Sequence, residues 1–503
     1  MKVLFIARHF TYFRNFDSVI ALLAERGHRI HLAADRDEVS GGRELVDRLA
    51  ARYAGVTVGL TPIHEFGRYT RLTRALRLGL DYLRYSDPRY ESMPKIRQRA
   101  YDRTPRFVLA LARLPLRPLV TGLIERLEEA VPQHKGVRAF LEEQQPDLLL
   151  ITPLIELGSP QLDYVRTARR LGLRSALCIW SWDHLSSKAL IRVVPDALFV
   201  WNEAQKEEAS RFHGIGAERV IVTGAQCFDR WFGRTPSRDR AAFCVRAGLP
   251  DDRPFLLYVC SALFRGSRSE ADFVREWVRA VRSAPAAELR EMNILVRPHP
   301  QRLEEWREAP PLDEAVLWGS NPVDEDGRSD YFDSMFYAAG VVGLNTSALV
   351  EAAVIDRPVY SILPPEFREN QEGTFHFHHL LTIGNGFLNT SASLEGHVQQ
   401  LAALAAGEAP RRNRAFVERF VRPHGLETAA TPVFANAVES LAARPASAPE
   451  RPPFWVFLLR PVVYALVLAG RLPLLERLYW NPAKFKQQRA GTYERLNARS
   501  TDA

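Results

Sequence analysis

Val3-Leu4-Phe5-Ile6-Ala7, close to the start of the chain, is the kind of continuous apolar run that a parallel strand covered on both faces requires. Val19, Ile20, Leu22 and Leu23 then recur at helical spacing, Gly27 stands where a helix usually stops, and Arg29 to Ala34 supplies a second strand. A strand, a helix and a strand in succession open a parallel sheet, because parallel neighbours need a crossover between them. The alternation continues outward with strands expected at Val56 to Leu60, Leu148 to Thr152, Ser175 to Trp180, Ala197 to Trp201 and Val220 to Gly224, and a helix at Leu162 to Leu171. A second set follows at Phe255 to Cys260, Asn293 to Val296, Ala315 to Trp318, Val341 to Leu344 and Val359 to Leu363, with a helical region over about residues 412 to 443. The pattern predicts an α/β chain of two Rossmann-like domains facing a cleft.

The chain has 503 residues, too many for one hydrophobic core. The expected division is 1–235 for an N-terminal acceptor domain, 236–443 for a C-terminal nucleotide-donor domain, and 444–503 for a linker and an amphipathic, membrane-proximal tail. Residues 232 to 254 read as the interdomain connection, and Ala443 to Pro453 as a flexible one. A basic helical insertion interrupts the first domain at about 68–140. Between Arg68 and Arg117 thirteen Arg or Lys residues stand against Asp81, Asp87, Glu91 and Asp102, a surplus larger than the net +8 of the whole chain. Leu72, Leu76, Leu80, Tyr82, Leu83 and Tyr90 are interleaved with them.

Hydrophobic and charged shares of 46% and 25% are those of an ordinary soluble protein, and a charge of +8 at this length does not point to nucleic acid. Cys178, Cys227, Cys244 and Cys260 are scattered, without a C-x-x-C pair or a histidine at ligand spacing, which suits reduced thiols in a cytoplasm. Arg8 interrupts the first apolar run too early for a secretory signal, so that run is read as a strand.

In the second half, an apolar strand runs into Asn345-Thr346-Ser347, after which a helix begins. The first backbone N–H groups of a helix suit a phosphate, Thr346 and Ser347 add hydroxyls, and Glu351, one turn on, is placed to accept hydrogen bonds from ribose. Helix capping by Ser347 with a solvated Glu351 is the structural alternative. Arg297-Pro298-His299-Pro300 also follows a strand, and its prolines can hold Arg297 and His299 at the carboxyl end of the sheet, facing a diphosphate, or can simply form a rigid turn. Ser261 and Glu270 are further candidates. Gln371, Thr374 and His376 lie in Gln371-Glu372-Gly373-Thr374-Phe375-His376-Phe377-His378-His379, which reads as polar contacts to the transferred group. Its histidines lack the spacing and carboxylate partners of a metal site.

In the first half Trp180-Ser181-Trp182-Asp183-His184 follows a strand. Asp183 beside His184 can provide a general base toward an acceptor hydroxyl, or Asp183 can cap the next helix. His9, after the first strand, is a third catalytic candidate. There is no G-x-x-x-x-G-K-[ST] loop and no G-x-G-x-x-G after the first strand, which removes P-loop and common dehydrogenase readings. Asp324-Glu325-Asp326 reads as a solvated loop.

Taken together these stretches resemble the GT-B superfamily, which holds glycosyltransferases, CDP-glycerol glycerophosphotransferases and UDP-N-acetylglucosamine 2-epimerases. The likeness is nearest to bacterial surface-carbohydrate proteins described as CDP-glycerol-transferase-like. It is carried by Ser181-Trp182-Asp183, Val200 to Glu203, Thr223 to Ala225, Arg297 to Pro300, Asn345 to Ser347 with Glu351, and Gln371 to Phe377. It covers roughly residues 1–65 and 140–440, and departs at Ser261-Ala262, where relatives often carry two serines. The resemblance implies a nucleotide or nucleotide sugar held mainly by the second domain, an acceptor held by the first, no cofactor beyond the donor itself and no required metal.

From Pro452 to Trp480 the tail is strongly apolar, yet Arg460, Pro461, Arg471 and Pro473 break it and its longest uncharged run is Pro461 to Gly470, too short to span a bilayer. It reads as an interfacial segment closed by Tyr479-Trp480, or as packing against the protein's own surface. Three functions follow as expectations: a transferase acting on a lipid-linked surface polysaccharide at an anionic membrane, a sugar-nucleotide 2-epimerase, and a non-catalytic scaffold.

Overall fold

The computed structural model describes residues 1–37, 41–62, 68–114, 116–264, 266–307, 310–322, 324–408, 413–445, 447–472, 475 and 478. Two parallel sheets organise the chain. The first contains β1 (Lys2–His9), β2 (Arg29–Arg36), β3 (Val56–Leu60), β4 (Leu148–Thr152), β5 (Ser175–Cys178), β6 (Ala197–Val200) and β7 (Val220–Val222), in the order β3-β2-β1-β4-β5-β6-β7. The second contains β8 (Phe255–Val259), β9 (Asn293–Arg297), β10 (Val316–Leu317), β11 (Gly340–Val342), β12 (Val359–Ile362) and β13 (Asn389–Ser391), in the order β10-β9-β8-β11-β12-β13. Both sheets run outward in two directions from a first strand, the doubly wound arrangement expected from the alternation. Side chains of β1 alternate between two cores, Val3 and Phe5 facing one and Leu4 and Ile6 the other, which is why the run is apolar throughout.

Some expectations change. β13 has no apolar run to announce it. Asp324 is the N-cap of the helix Glu325–Phe336, its carboxylate accepting the Gly327 N–H at 2.7 Å, so the acidic triplet opens a helix rather than forming a loop. The supposed connection after residue 232 contains the helix Arg240–Ala247, capped by Asp239. The helix Ala430–Ala442 crosses back to the first domain, where Phe434, Ala435, Val438 and Leu441 are buried beside Phe5, Phe16 and Phe199. The second domain therefore ends before residue 430 rather than at 443.

The insertion is helical as expected, with Thr70–Arg84, Pro94–Tyr101, Arg106–Leu111 and Arg117–Ala130. Part of its basic character is internal. Arg77 is buried and ion-paired with Glu128 at 2.8 Å and Asp163 at 2.6 Å, and Arg192 pairs with Asp81. Each buried charge here has a partner, which the cost of desolvation demands. The tail helix Phe454–Ala469 folds back on these helices, burying Val456, Val463 and Val467 against Leu72, Leu76, Val120 and Ile124. Packing on the protein thus accounts for one face of the tail; Tyr479 and Trp480 lie outside the described residues. Among the described residues no helix is long and apolar enough to cross a membrane.

Candidate active site

Each sheet has a switch point where connections leave in opposite directions, between β1 and β4 and between β8 and β11, and open α/β sheets bind ligands in the crevice beyond it. A cavity of about 290 Å³ lies between the two domains at that level. Its second-domain wall is built by Val259 and Cys260 ending β8, Arg297 to Pro300 ending β9, and Thr346, Ser347, Ala348 and Glu351 beyond β11. Its first-domain side brings Arg14, Asn15, Trp180, Ser181, Trp182 and Trp201, with Phe228, Arg230 and Trp231 from the loop after β7. A depression of about 520 Å³ near Asp147, Arg174 and Arg444 sits at the opposite, amino-terminal edge of β4 and β5, away from both switch points.

Arg297 is the last residue of β9 and only 5% exposed. Its Nη2 donates to the Ser320 carbonyl at 3.1 Å, and its guanidinium lies 5.3 Å from the Trp318 ring and 5.1 Å from the Tyr331 ring. Nη1 is buried without a hydrogen-bond partner, and among the described residues no carboxylate lies within ion-pair distance. Burial works against its charge and lowers its pKa. Gly319, at φ +119°, makes room for it: a Cβ there would stand 2.5 Å from the guanidinium carbon. A buried cation with an unfilled donor facing a cleft is a place for an anion.

Glu351 projects from the short helix Ala348–Val354, where its carboxylate accepts the Tyr331 hydroxyl at 2.5 Å. Burial pushes its pKa up to about 7. Ser347 begins that helix without a side-chain cap bond, and its Oγ accepts the Trp182 indole N–H at 3.3 Å. The capping alternative for Ser347 is therefore not what the structure shows. His299 lines the same wall as a half-buried ring whose Nδ1 accepts the Gln301 N–H at 3.2 Å, and burial lowers its pKa.

Four expected donor contacts are instead occupied in holding the loops that carry this wall. Ser261 is buried, its Oγ accepting the Asn345 N–H at 3.1 Å and its N–H donating to Glu270 at 2.7 Å, which joins the ends of β8 and β11. Asn345 donates its side-chain amide to the Asn370 carbonyl. Gln371 is buried and donates to the Leu344 and Ile362 carbonyls at 3.1 and 2.9 Å, tying β11 to β12. Thr374 is buried and donates to the Gln371 carbonyl at 2.8 Å. None of the four lines the cavity.

Across the cleft, the Asp183 carboxylate accepts the Ser181 hydroxyl at 2.6 Å and the Ser187 hydroxyl at 3.0 Å, and pairs with Lys188 at 3.0 Å. Lys188 and its neighbours hold its pKa well below the carboxylate range against the opposing effect of burial. It makes no side-chain cap to the helix that follows. His9, Tyr12, Trp180 and His184 form a row of rings with successive centroids 4.4, 5.2 and 4.7 Å apart. Burial lowers the His9 pKa to about 4 and that of His184 to about 3, so both rings are neutral, and the His184 Nδ1 is buried without a partner. Asp183, His184 and His9 border the cavity through Trp180, Ser181 and Trp182 rather than lining it.

The three clustered histidines diverge. His376 meets the face of Trp182 edge-on at 4.8 Å, His378 faces the Glu372 carbonyl at 2.9 Å, and His379 pairs with Glu208 of the first domain at 2.9 Å. Among the described residues no three potential metal ligands converge. Trp182 is the residue that joins the walls, touching Ser347 and His376 at once and packing in the second domain's apolar cluster. Arg14, Arg230, Arg328 and Tyr331 also line the cavity and were not singled out from sequence. Isolated arginines in loops carry no pattern, and Tyr331 lies on a helix whose start, Asp324 to Asp326, was read as a loop.

No protein-family model matches the sequence, and no curated protein matches it. Solved structures do. The UDP-GlcNAc 2-epimerase from Neisseria meningitidis, bound to UDP-GlcNAc, superposes with a TM-score of 0.50 at 11% identity, covering 87% of this chain and 100% of that one. A glycosyltransferase from Rickettsia africae gives a TM-score of 0.49 at 9% identity over 88% and 99% of the two chains. At such identities the likeness is one of architecture, and that architecture is GT-B.

Proposed function

We propose that the chain is a metal-independent GT-B-type transferase that moves a glycosyl or glycerophosphoryl group from a nucleotide-activated donor to a lipid-linked surface-polysaccharide acceptor, at the inner face of the cell membrane. The observation that carries this reading is Arg297, a buried guanidinium with an unfilled Nη1 at the carboxyl end of β9, on the wall of the interdomain cavity. Arg14, Arg230 and Arg328 add positive charge around the same cavity, and Trp180 and Trp231 give it an aromatic lining suited to a base. Glu351 supplies a carboxylate for ribose hydroxyls.

In the proposed reaction the acceptor oxygen forms a bond to the sugar carbon or phosphorus while the bond to the nucleotide's phosphate oxygen breaks. The hydroxyl proton passes to the first-domain wall, and the charge on the departing nucleotide is met by Arg297 with the hydroxyls of Thr346 and Ser347. For the base, the neutral His184 has an unpartnered Nδ1 whereas Asp183 is held by two hydroxyls and Lys188; with burial lowering its pKa to about 3, His184 acts as base only once a bound acceptor raises that pKa.

A thermal-shift screen against nucleotides and nucleotide sugars tests the donor site, since a ligand that binds only the native state raises apparent stability. The active donor is then incubated with acceptor. A group appearing on acceptor supports transfer; an epimerised sugar nucleotide without acceptor, or no turnover of any bound donor, rejects it.

A further inference from the structure

Exposed apolar residues are concentrated on one region far from the cleft in sequence. Among the described residues only Leu60, Val245, Leu303 and Leu317 are large, hydrophobic and exposed elsewhere; the rest lie on the insertion helix Arg117–Ala130, the tail helix Phe454–Ala469 and their flanks. These two helices pack on each other, and each carries two apolar stripes. On the insertion helix Val120, Ile124 and Leu127 face inward, while Leu119 is 68% and Leu123 51% exposed. On the tail helix Val456, Val463 and Val467 face inward, while Phe454 is 76% and Leu458 63% exposed. The inner stripes explain the packing. The outer ones, separated by more than three hundred residues of sequence, are carried by two helices that pack side by side.

The charge along these segments is net positive. Residues 103–130 carry Arg103, Arg106, Arg113, Arg117 and Arg126 against Glu125, Glu128 and Glu129, of which Glu128 is buried in ion pairs with Arg77 and Arg166; residues 451–475 contain Arg451, Arg460 and Arg471 and no acid. That surplus favours an anionic surface over a second copy of the same positive face. A spanning orientation would need a longer helix than the 16 residues of Phe454–Ala469, about 24 Å at 1.5 Å per residue against a core of about 30 Å, and would strip its inner stripe from the bundle.

We infer that the outer stripes of these two helices form a docking face for an anionic lipid bilayer, the helices lying flat with leucine and phenylalanine side chains in the interface and arginines at the headgroups. This narrows the sequence expectation, in which the basic stretch from Arg68 to Arg117 and the apolar tail together met anionic lipid: within that stretch Arg77 is buried in ion pairs and Arg84 donates to the Lys188 carbonyl. The inference deepens the membrane placement within the proposed function and rests on that reading, but not on the transfer chemistry.

Flotation of the full chain with phosphatidylcholine vesicles, with and without phosphatidylglycerol, tests it. The wild type is expected to float with the anionic vesicles at low salt and to be released by high salt. Leu119→Glu with Leu123→Glu, and separately Phe454→Ser with Leu458→Ser, should each lower the bound fraction about tenfold or more while nucleotide affinity, the measure of an intact fold, is unchanged. A wild type that stays soluble at low salt, or both double variants floating like the wild type, overturns the inference. So does a wild type that dimerises instead of floating, with the same substitutions abolishing the dimer. Normal flotation in a protein that binds no nucleotide keeps the docking face and rejects the transferase.

Discussion

The two walls of the cleft use polar side chains in opposite ways. On the second-domain wall the functional groups are left open: Arg297 keeps an unfilled donor, and Glu351 has only the Tyr331 hydroxyl and a pKa raised to about 7 by burial. On the first-domain wall Asp183 is satisfied from three sides and His9 and His184 are neutral rings in a tilted and edge-on row, the His184 Nδ1 being the open exception. An open wall costs stability, because buried groups lack partners, and a ligand offsets that cost on binding. A closed wall costs little. Under the proposed function the open wall is the donor side, prepared in advance, and Trp182 links it to the proposed acceptor side through Ser347 and His376.

The comparison breaks most visibly at the base. His184→Gln is expected to lower turnover by about 10²-fold with donor affinity retained. Asp183→Asn should cost less, since that carboxylate orients its neighbours; the opposite order in single-turnover measurements would make Asp183 the base. Next in size, Arg297→Met should weaken nucleotide binding by about 1 to 3 kcal/mol, as befits a lost charged hydrogen bond, with Arg297→Lys recovering part of it. Equal affinities by calorimetry would mean that no phosphate sits against Nη1.

A smaller effect sharpens the role of Glu351. With its pKa near 7, the carboxylate is half protonated at neutral pH, and only the ionised form accepts two ribose hydroxyls. Nucleotide affinity should rise several-fold from pH 6 to 8 and lose that component in Glu351→Gln; a parallel rise in the variant would assign the slope to the ligand's own phosphate. The smallest expected effect concerns Glu270, which burial pushes to about 8 despite hydrogen bonds from Ser261 and Tyr258. Its folded pKa exceeds the ordinary value of about 4.5, so the folded state binds the proton more tightly. That contribution to stability is complete below pH 4.5 and is lost as pH rises to 8. Glu270→Gln should flatten the fall in Tm between pH 5 and 8, and an unchanged pH profile would show that Glu270 is already ionised in the fold.

Much of the cavity's second-domain wall was visible in the chain before folding. Arg297, His299, Thr346, Ser347 and Glu351 were readable because each follows an apolar strand, and the carboxyl ends of parallel strands must meet the crevice. Ser261, Asn345, Gln371 and Thr374 stand in the same kind of position, yet they serve the loops, because a polar side chain near a strand end can turn toward the ligand or toward a neighbouring backbone and spacing does not distinguish the two. Arg14, Arg230 and Tyr331 reach the cavity from loops and a helix whose approach depends on how the domains meet.

Local periodicity settled the doubly wound sheets, the second-domain strand-end motifs and the helical insertion, since apolar runs and helical spacing reflect burial that each segment must satisfy wherever it packs. Long-range contact settled the rest: the return of Ala430–Ala442 to the first domain, the Trp182 bridge, the capture of the tail helix by the insertion, and the division of arginines between internal ion pairs and an exposed rim. An amphipathic helix records in its own residues that it has an apolar face, but the identity of the surface covering that face is a property of distant partners, and so it emerges only when the chain is folded.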